Sequence, residues 1–403
     1  MTKFTKHIHY HSDAFIKSMV WEYKLILKDK AVFFSFIGVA LIVSFLYSYI
    51  YSNEILTNLP VAVVDMDNST HSRQLLRMVD ASEQVHLNQK YPQISDAEKA
   101  FNKNEVRGII IIPNDFSRKL QRGEQPAISV YADASYMLYY KQIVTAIQKT
   151  VGYMNAGVQL KKTMANRKST EQAKDNVLAI RGKTVNLFNP SSGYATFLIP
   201  IVLIIIFQTT ILTSIGILVG TMTENKLFSR LYPHSDEFLG TLPIVMGKAT
   251  TYLLMGIAIL LVMTTIVMPL FNIPMRTSIL NVIVYLFPFL LSLVYLGIFL
   301  TGFFKKREDA ILLIMFTSIP SLLLTGYSWP TTATPIWIQV LSYFIPSTLG
   351  SKGFVSLTQM GADFSVVKSY WLMQWALCLF YLTLAVLTYK RMYLAERIGK
   401  TKI

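Results

Sequence analysis

Long apolar runs without charged side chains recur six times along the chain. A helix needs about 20 mostly apolar residues to cross roughly 30 Å of hydrocarbon, and each run can hold one such helix. The pattern therefore predicts a polytopic α-helical membrane protein with six transmembrane helices, near residues 31–51, 195–220, 249–271, 279–303, 310–327 and 371–390.

The charge-free run that holds the fifth span is longer than one helix requires. It contains Pro330, Pro335 and Pro346 together with several Trp and Tyr residues. Proline interrupts helices, and Trp and Tyr favour the membrane interface. We therefore interpret residues 327–348 as an interfacial or re-entrant element that follows the fifth span.

A long polar segment, residues 52–194, separates the first two apolar runs and is long enough to fold by itself. Short apolar runs at 60–64, 108–112 and 127–131 predict strands. Helical patterns at 71–81 and 95–104, the latter with Ser95 as a plausible N-cap, alternate with them. This alternation predicts an α/β domain inserted between the first and second spans.

The same segment contains a long helical pattern from about residue 135 to 165. Its apolar residues recur at spacings of three and four, which predicts one apolar stripe, formed by Tyr140, Ile143, Ile147, Val151, Met154 and Val158. The stripe has two interpretations at this point. It packs on the sheet of its own domain, or it contacts a second copy of the chain or a periplasmic partner.

Composition and charge agree with a membrane protein. The chain of 403 residues is 52% hydrophobic and 15% charged, with a net charge of +15; soluble domains are about 25% charged. This excludes a disordered chain, and the single Cys378 excludes a disulfide scaffold. Excess positive charge on such an apolar chain favours an integral membrane protein over a nucleic-acid binder.

The distribution of Lys and Arg predicts the orientation. The terminal segments and the connections on their side carry 17 of these residues, whereas the short loops on the other side carry only Arg276, Lys352 and Lys368. By the positive-inside rule, residues 1–30 form a cytoplasmic amphipathic helix, 391–403 a cytoplasmic tail, and 52–194 lie outside. Residues 195–390 then form a five-helix membrane domain.

Several short stretches, in this order and spacing, resemble the permease subunits of ABC type-2 exporters, in the branch with a large domain between the first two spans. These stretches are Val61–Asp65 with Asp67 and Ser69, Val106–Pro113 with Phe116, Phe188–Pro190 with Tyr194 and Phe197, and Gly326, Pro330, Pro335–Trp337 and Pro346. The resemblance covers nearly the whole chain. It implies an exporter permease in a bacterial inner membrane.

The resemblance also implies partners. The chain has no phosphate-binding Gly-x-x-x-x-Gly-Lys-[Ser/Thr] motif. The nearest match ends in Gly182-Lys183-Thr184, but its first glycine position is occupied by Val177. A separate cytoplasmic ABC ATPase would therefore hold ATP and Mg, and this chain would hold no cofactor. The family further implies a second permease copy, as a homodimer or heterodimer, surrounding membrane lipid, and in a two-membrane envelope a periplasmic adaptor.

Two elements are candidates for coupling to the ATPase. Residues 13–29 predict an amphipathic helix with Phe15, Met19 and Ile26 toward lipid and Lys17, Lys24 and Lys28 toward headgroups; the alternative is simple interfacial anchoring. The loop 223–248 departs from the family's acidic-basic-acidic run, and only Gly247-Lys248 fits it well. The candidate coupling residues of this loop are Glu224, Lys226, Arg230, Asp236 and Glu237. The alternative is that the loop only connects two spans.

The predicted spans contain almost no ionisable residues, which weakens a proton-driven mechanism and suits a hydrophobic, drug-like or lipid-like substrate. Polar residues of the second and fifth spans are candidates for lining the pathway, and helix–helix hydrogen bonding is their alternative role. These residues are Gln208, Thr209, Thr213, Thr317 and Ser321.

Two other classes of function compete with the permease, which would not be an enzyme by itself. The first is a non-transporting receptor that binds its ligand through the outer domain. The second is a membrane-anchored enzyme, because Val61–Ser69 resembles the Asp-x-Asp nucleophile turn of haloacid-dehalogenase phosphatases. We expect Asp65 and Asp67 instead to order a turn or to cap the following helix.

Overall fold

The computed structural model describes residues 3–122, 124–165, 187–190, 192–226, 240–304 and 306–401. The chain divides into two compact units. One comprises Met1–Glu54 with Leu187–Ile403, and the other comprises Ile55–Asn186. The first unit is helical, and the second combines helices with a sheet.

The elements of the described residues, in chain order, begin with helices α1 (Lys3–Lys28) and α2 (Lys30–Ile50). The second unit contains β1 (Leu59–Asp65), α3 (Thr70–Asp80), β2 (Val85–Lys90), α4 (Ile94–Asn102), β3 (Gly108–Ile112), α5 (Phe116–Arg122), β4 (Ser129–Ala132) and α6 (Met137–Ala165). The first unit then continues with α7 (Tyr194–Glu224), α8 (Leu242–Leu270), α9 (Ile279–Phe303), α10 (Arg307–Leu324), α11 (Ile336–Tyr343), α12 (Pro346–Thr358) and α13 (Phe364–Thr401).

Five helices among the described residues are long and apolar enough to cross a membrane, namely α2, α7, α8, α9 and the Phe364–Glu396 part of α13. Six were expected. The missing one, at 310–327, falls on α10, whose 18 residues include Glu308 and Asp309 in the first turn. These charges leave an apolar stretch of about 22 Å at 1.5 Å per residue, which is shorter than the hydrocarbon layer.

Helix α7 lies at the centre of the first unit, since 83% of its most apolar window is buried. Small residues allow α10 to approach it closely, as is common between membrane helices. A Cβ atom added to Gly216 would lie 2.4 Å from the Cβ of Ala310, and one added to Gly220 would lie 2.9 Å from the Cα of Arg307. Any larger side chain at either glycine would therefore push the two helices apart.

Helices α11 and α12 form a hairpin in which α12 is buried in the bundle, whereas α11 keeps large apolar side chains exposed. At its tip, the Ser347 N–H donates to Gln208 Oε1 (3.2 Å) and the Tyr381 hydroxyl donates to the Phe344 carbonyl (2.6 Å). Gln208 and Tyr381 lie well inside α7 and α13. The last residue of α12, Thr358, instead accepts a hydrogen bond from the N–H of Arg276, which connects α8 to α9. The arm α12 continues ten residues beyond the predicted end of this element.

The second unit is built on a four-stranded sheet of order β2-β1-β3-β4. Strand β1 pairs in parallel with β2 and β3, and β3 pairs antiparallel with β4. Strands β1 and β3 lie where the apolar runs predict them. Strand β2 was not predicted, because its mostly polar sequence contains no apolar run. It is an edge strand in which only Val85 is fully buried.

Helix α6 packs on the sheet of its own unit. Ile143, Ala146, Ile147 and Met154 are buried in one cluster with core residues of β1 and β3. This confirms the first interpretation of the apolar stripe for its central part. Tyr140, at the start of the stripe, is exposed instead.

The predicted N-cap of α4 was wrong. The helix begins at Ile94, so that Ser95 lies within its first turn, and Gln93 occupies the N-cap position with an extended backbone. The apolar side chain of Ile94 packs against a buried cluster with Ala97 and Ala100. Burial of Ile94 therefore outweighs the capping preference of Ser95.

Candidate coupling site

Three helix ends of the first unit are joined by Arg307 at the start of α10. Its N–H donates to Glu224 Oε1 at the end of α7 (2.9 Å), and its guanidinium donates to Asp29 Oδ1 (3.2 Å). Asp29 also caps α2, accepting from the N–H of Ala31. We call this region the charged end of the first unit. The predicted residue Glu224 therefore bonds to the main chain of Arg307, whose side chain contacts Asp29.

Helix α1 lies against α8 next to this region. The two backbones come close at Gly247, where an added Cβ atom would lie 2.4 Å from the Phe15 carbonyl oxygen. The Ser18 hydroxyl donates to the Ile244 carbonyl (2.8 Å), and the Thr251 hydroxyl donates to the Met19 carbonyl (2.9 Å). These contacts fix α1 to α8 through side chains on both helices.

A buried ion pair lies at the same crossing. Lys248 Nζ is 2.5 Å from Glu22 Oε2, and each side chain is 1% exposed. The Nζ atom also lies 5.7 Å and 5.8 Å from the ring centroids of Trp21 and Tyr389. A charge in such a site is tolerated only when it is paired, so the pair makes the position of α1 dependent on α8.

The sequence pattern did not reveal Glu22. Lys248 was already notable, because Gly247-Lys248 fits the family's loop motif. Glu22 lies within an amphipathic helix, where a glutamate ordinarily faces water. A spacing of four residues connects Ser18, Glu22 and Ile26, all of which are buried, and this spacing was the available signal for a second, packed face.

One face of α1 was assigned incorrectly. Ile26 was expected to face lipid, but it is 0% exposed and belongs to the core of the first unit. Phe15 and Met19 are partly buried. The large apolar side chains of α1 that remain exposed lie on the other face, at Ile16, Val20, Tyr23 and Leu27. Helix α1 covers α8 because its Ser18, Glu22 and Ile26 face complements the Gly247 and Lys248 face.

Of the five predicted coupling residues, the structure describes two. Glu224 accepts from Arg307 as given above. Lys226 lines a cleft of about 450 Å³ between the ends of α7, α9 and α13, together with Phe303, Arg391 and Glu396. Arg230, Asp236 and Glu237 lie outside the described residues. The described end of the predicted coupling loop thus lies beside the charged end.

The predicted pathway residues separate into two groups. Gln208 is buried and bridges three elements, since its Nε2 donates to Ser321 Oγ (2.9 Å) while its Oε1 accepts from the Ser347 N–H (3.2 Å). The hydroxyls of Thr209, Thr213 and Thr317 donate to carbonyls of their own helices. Gln208 and Ser321 therefore have the helix–helix hydrogen bonds of the alternative interpretation.

Thr209 additionally lines a surface groove of about 260 Å³ between α2, α7 and α10, with Ser318 and apolar side chains such as Tyr47 and Leu322. Thr213 is partly buried one turn further along α7. The structure thus brings Thr209 of the second expected span near Ser318 of α10.

The Asp-x-Asp turn of the second unit has a structural role. Asp65 accepts hydrogen bonds from the N–H of Asn68 (3.0 Å) and from the Ser72 hydroxyl (2.9 Å). Asp67 accepts from the Ser117 N–H (3.2 Å). Among the described residues no group of three or more His, Cys, Asp or Glu side chains could hold a metal ion. The expected ordering of the turn is confirmed for Asp65, whereas Asp67 contacts the start of α5 and the following helix α3 is capped by Ser69.

Comparison with known sequences adds a family-level finding. Residues 30–387 match the model of the ABC-2 family transporter protein. The chain is 24% identical over 292 residues to the probable multidrug ABC transporter permease YbhR of Escherichia coli K12, covering 72% of this chain and 75% of that protein. It is 24% identical over 332 residues to the linearmycin resistance permease protein LnrN of Bacillus subtilis 168, covering 75% and 80%.

Proposed function

Because this chain belongs to the ABC-2 family of transporter proteins, we propose that it is the membrane subunit of an ATP-driven exporter of hydrophobic, drug-like or lipid-like molecules. Permeases of this family are transport subunits and not enzymes by themselves. The names of the relatives YbhR and LnrN, multidrug transport and linearmycin resistance, support this substrate class.

The proposed partner is a cytoplasmic ABC ATPase that binds ATP and Mg. The observation that carries this proposal is the attachment of α1 to the membrane helices through the buried Glu22–Lys248 pair. Motion of α1 driven by the ATPase would be passed to α8 through this pair. The pair resists sliding of α1 along α8, because separation would leave both buried charges unpaired. The hydrogen bonds of Arg307 to Glu224 and Asp29 would connect α10 to α7 and α2.

The proposed topology has six spans, with α10 and the α11–α12 hairpin together completing the fifth crossing. Both termini are then cytoplasmic and residues 52–194 extracytoplasmic, in a bacterial inner membrane. The 17-to-3 asymmetry of Lys and Arg supports this orientation. The charged end of the first unit would face the cytoplasm, beside the loop that contains Arg230, Asp236 and Glu237.

The proposed assembly contains two permeases and two ATPase domains, as a homodimer or with a similar second permease. Closure of the ATPases on ATP would move α1 and the loop together and would shift α7 and α10, next to Thr209, Thr213 and Thr317. The outer unit would gate the exit or bind a periplasmic adaptor in a two-membrane envelope.

Coupled ATP hydrolysis tests the proposal. The chain is co-expressed with the ATPase encoded next to its gene, and hydrolysis is measured in lipid nanodiscs. We expect association, and hydrolysis that depends on the permease. Glu22→Gln should lower the permease-dependent part at least about tenfold, and so should the double charge reversal Asp236→Lys with Glu237→Lys.

The control is Glu98→Lys, a charge reversal at an exposed position of α4 in the other unit, which should leave coupling unchanged. Elution as a single species on size exclusion verifies that each variant is folded. Absence of association, or equal effects of Glu98→Lys and the loop variant, would contradict the exporter and favour the receptor interpretation of the outer domain.

A further inference from the structure

Lys352 lies on a helix of the bundle and not in an outer loop. The sequence groups it with Arg276 and Lys368 as a loop residue. In the structure it belongs to α12, the returning arm of the hairpin, six residues before Thr358. At 1.5 Å per residue, its Cα lies about 9 Å further into the bundle than the Thr358 carbonyl that contacts Arg276. In the proposed six-span topology, this depth places Lys352 within the apolar layer.

The side chain of Lys352 is open to the surface of the unit. Along α12, only Lys352 and Ser356 are not fully buried, so they form the accessible stripe of this helix. Lys352 Nζ lies 5.2 Å from the ring centroid of Tyr343. Among the described residues, no carboxylate lies within ion-pair distance of it.

An apolar groove lies beside Lys352. Its volume is about 420 Å³, and its lining is aromatic and aliphatic, formed by Tyr343, Phe344, Leu349, Met373, Ala376, Leu377 and Phe380. Leu349 precedes Lys352 by three residues and therefore lies on the same face of α12. Tyr343 belongs both to the groove and to the cation–π contact. The volume is within the range of about 300 to 1,000 Å³ typical of small-molecule sites.

The physical chemistry of this arrangement favours a counter-charge beside Lys352. Ionisable side chains at membrane depth are costly and generally mark functional sites. The π face of Tyr343 offsets only a part of that cost. An anion at Nζ would offset more of it, and the groove would take an aliphatic chain attached to that anion.

We propose that Lys352 and the adjoining groove bind an anionic single-chain amphiphile from the surrounding bilayer. The acidic group contacts Lys352 Nζ beside Tyr343, and the aliphatic chain lies along Leu349, Ala376 and Phe380. The bilayer is the source, because Met373, Phe344 and Phe380 are each nearly half exposed on the outside of the unit. The proposal uses the membrane placement of α13 but not the ATPase.

Spin-labelled lysophospholipids test this site. The full chain is reconstituted in phosphatidylcholine nanodiscs with lysophosphatidylglycerol or lysophosphatidylcholine carrying the same labelled chain. Electron paramagnetic resonance gives the motionally restricted fraction of each probe. We expect a preference of about fivefold for the anionic probe. Lys352→Gln should abolish the preference, and Lys352→Arg should retain it.

Matched variants separate the two halves of the site. Ala376→Trp, which fills the groove, should lower the restricted fraction of both probes, whereas Leu379→Trp on the exposed face of α13 should not. Lys368→Gln removes an exposed lysine at the start of α13 and should leave the preference intact. Equal restriction of both probes, or equal loss with Lys368→Gln, would overturn the proposal.

A second copy of the chain is the other occupant that the test distinguishes. If the groove were covered by a partner, Ala376→Trp would change the oligomeric state on size exclusion and neither probe would show Lys352-dependent restriction. The lipid-probe measurement needs no nucleotide, so a failure of coupled ATP hydrolysis would not affect it. A failure of the lipid-probe measurement would likewise leave the proposed ATPase coupling intact.

Discussion

At the scale of single residues, the Glu22–Lys248 pair makes the largest energetic difference. Each side chain is 1% exposed, so that neither charge has water as an alternative partner. Removing one member of such a pair costs about 3 to 5 kcal/mol, whereas replacing both by apolar residues of similar volume is often neutral or stabilising. The pair therefore specifies where α1 lies more than it adds net stability.

We predict that Glu22→Gln lowers the stability of the purified chain by about 3 to 5 kcal/mol, seen as a lower Tm in detergent. Glu22→Leu combined with Lys248→Met should recover most of this loss. The matched control is Asp13→Asn on the same helix, since the Asp13–Lys17 pair is more than half exposed on the lysine side and worth at most about 1 kcal/mol. Equal shifts for Glu22→Gln and Asp13→Asn would contradict the buried pair.

A second residue-scale prediction concerns the turn after β1. Asp65→Ala removes the acceptor for the Asn68 N–H and the Ser72 hydroxyl, which should cost about 1 to 3 kcal/mol. Hydrogen exchange of the full chain should show faster exchange in β1 and α3. Asp96→Ala, which removes only an exposed contact to Lys99, should show no such change. Phosphate-ester hydrolysis that Asp65→Asn abolishes would instead support the enzyme alternative.

At the scale of secondary-structure elements, the crossing of α1 and α8 depends on a missing side chain. The Cβ of any other residue at Gly247 would lie 2.4 Å from the backbone oxygen of Phe15. A backbone atom within a helix cannot move aside as a flexible side chain can. The two helices can therefore keep their hydrogen bonds only if position 247 is glycine.

We predict that Gly247→Ala displaces α1, which should raise hydrogen exchange and protease sensitivity within residues 11–28. Gly256→Ala in the same helix is the matched control, because the nearest atoms to its Cβ would be those of Leu290 at 3.6 Å, an ordinary contact. Both changes raise helix propensity by about 1 kcal/mol. Protection of α1 that is unchanged in Gly247→Ala would disprove the tight crossing.

At the scale of the whole molecule, the orientation of the two units relative to a membrane can be tested by labelling. With the buried Cys378 replaced by alanine, single cysteines are placed at Ser12, Lys103 and Lys400. A membrane-impermeant maleimide applied to spheroplasts should label Lys103→Cys, in the second unit, and neither of the others. Permeabilised cells should label all three.

The same experiment counts the spans. With six crossings, positions 12 and 400 lie on one side of the membrane; with only the five long apolar helices, they lie on opposite sides. Labelling of Lys400→Cys from outside would therefore show that α10 and the hairpin do not complete a crossing. An even number follows from the positive-inside rule, because both terminal segments are rich in lysine.

The sequence alone predicts the helical membrane class and the approximate bounds of α2, α7, α8, α9 and α13. Uninterrupted apolar length is a local property, and hydrocarbon thickness is a fixed standard against which it is measured. Strands β1 and β3 were predictable for a related reason, since their apolar runs are bounded by turn residues. The polar edge strand β2 was not, because its pairing partner alone makes it a strand.

Which charges are buried and which polar groups meet depends on how distant segments pack. Glu22 and Lys248 are 226 residues apart in the chain, as are Ser18 and Ile244, and no periodicity connects such positions. Lys352, expected in an outer loop, similarly belongs to helix α12 and lies beside Tyr343. Packing between distant segments sets the electrostatic surroundings of a side chain, whereas its own sequence neighbourhood sets only the helix or strand that carries it.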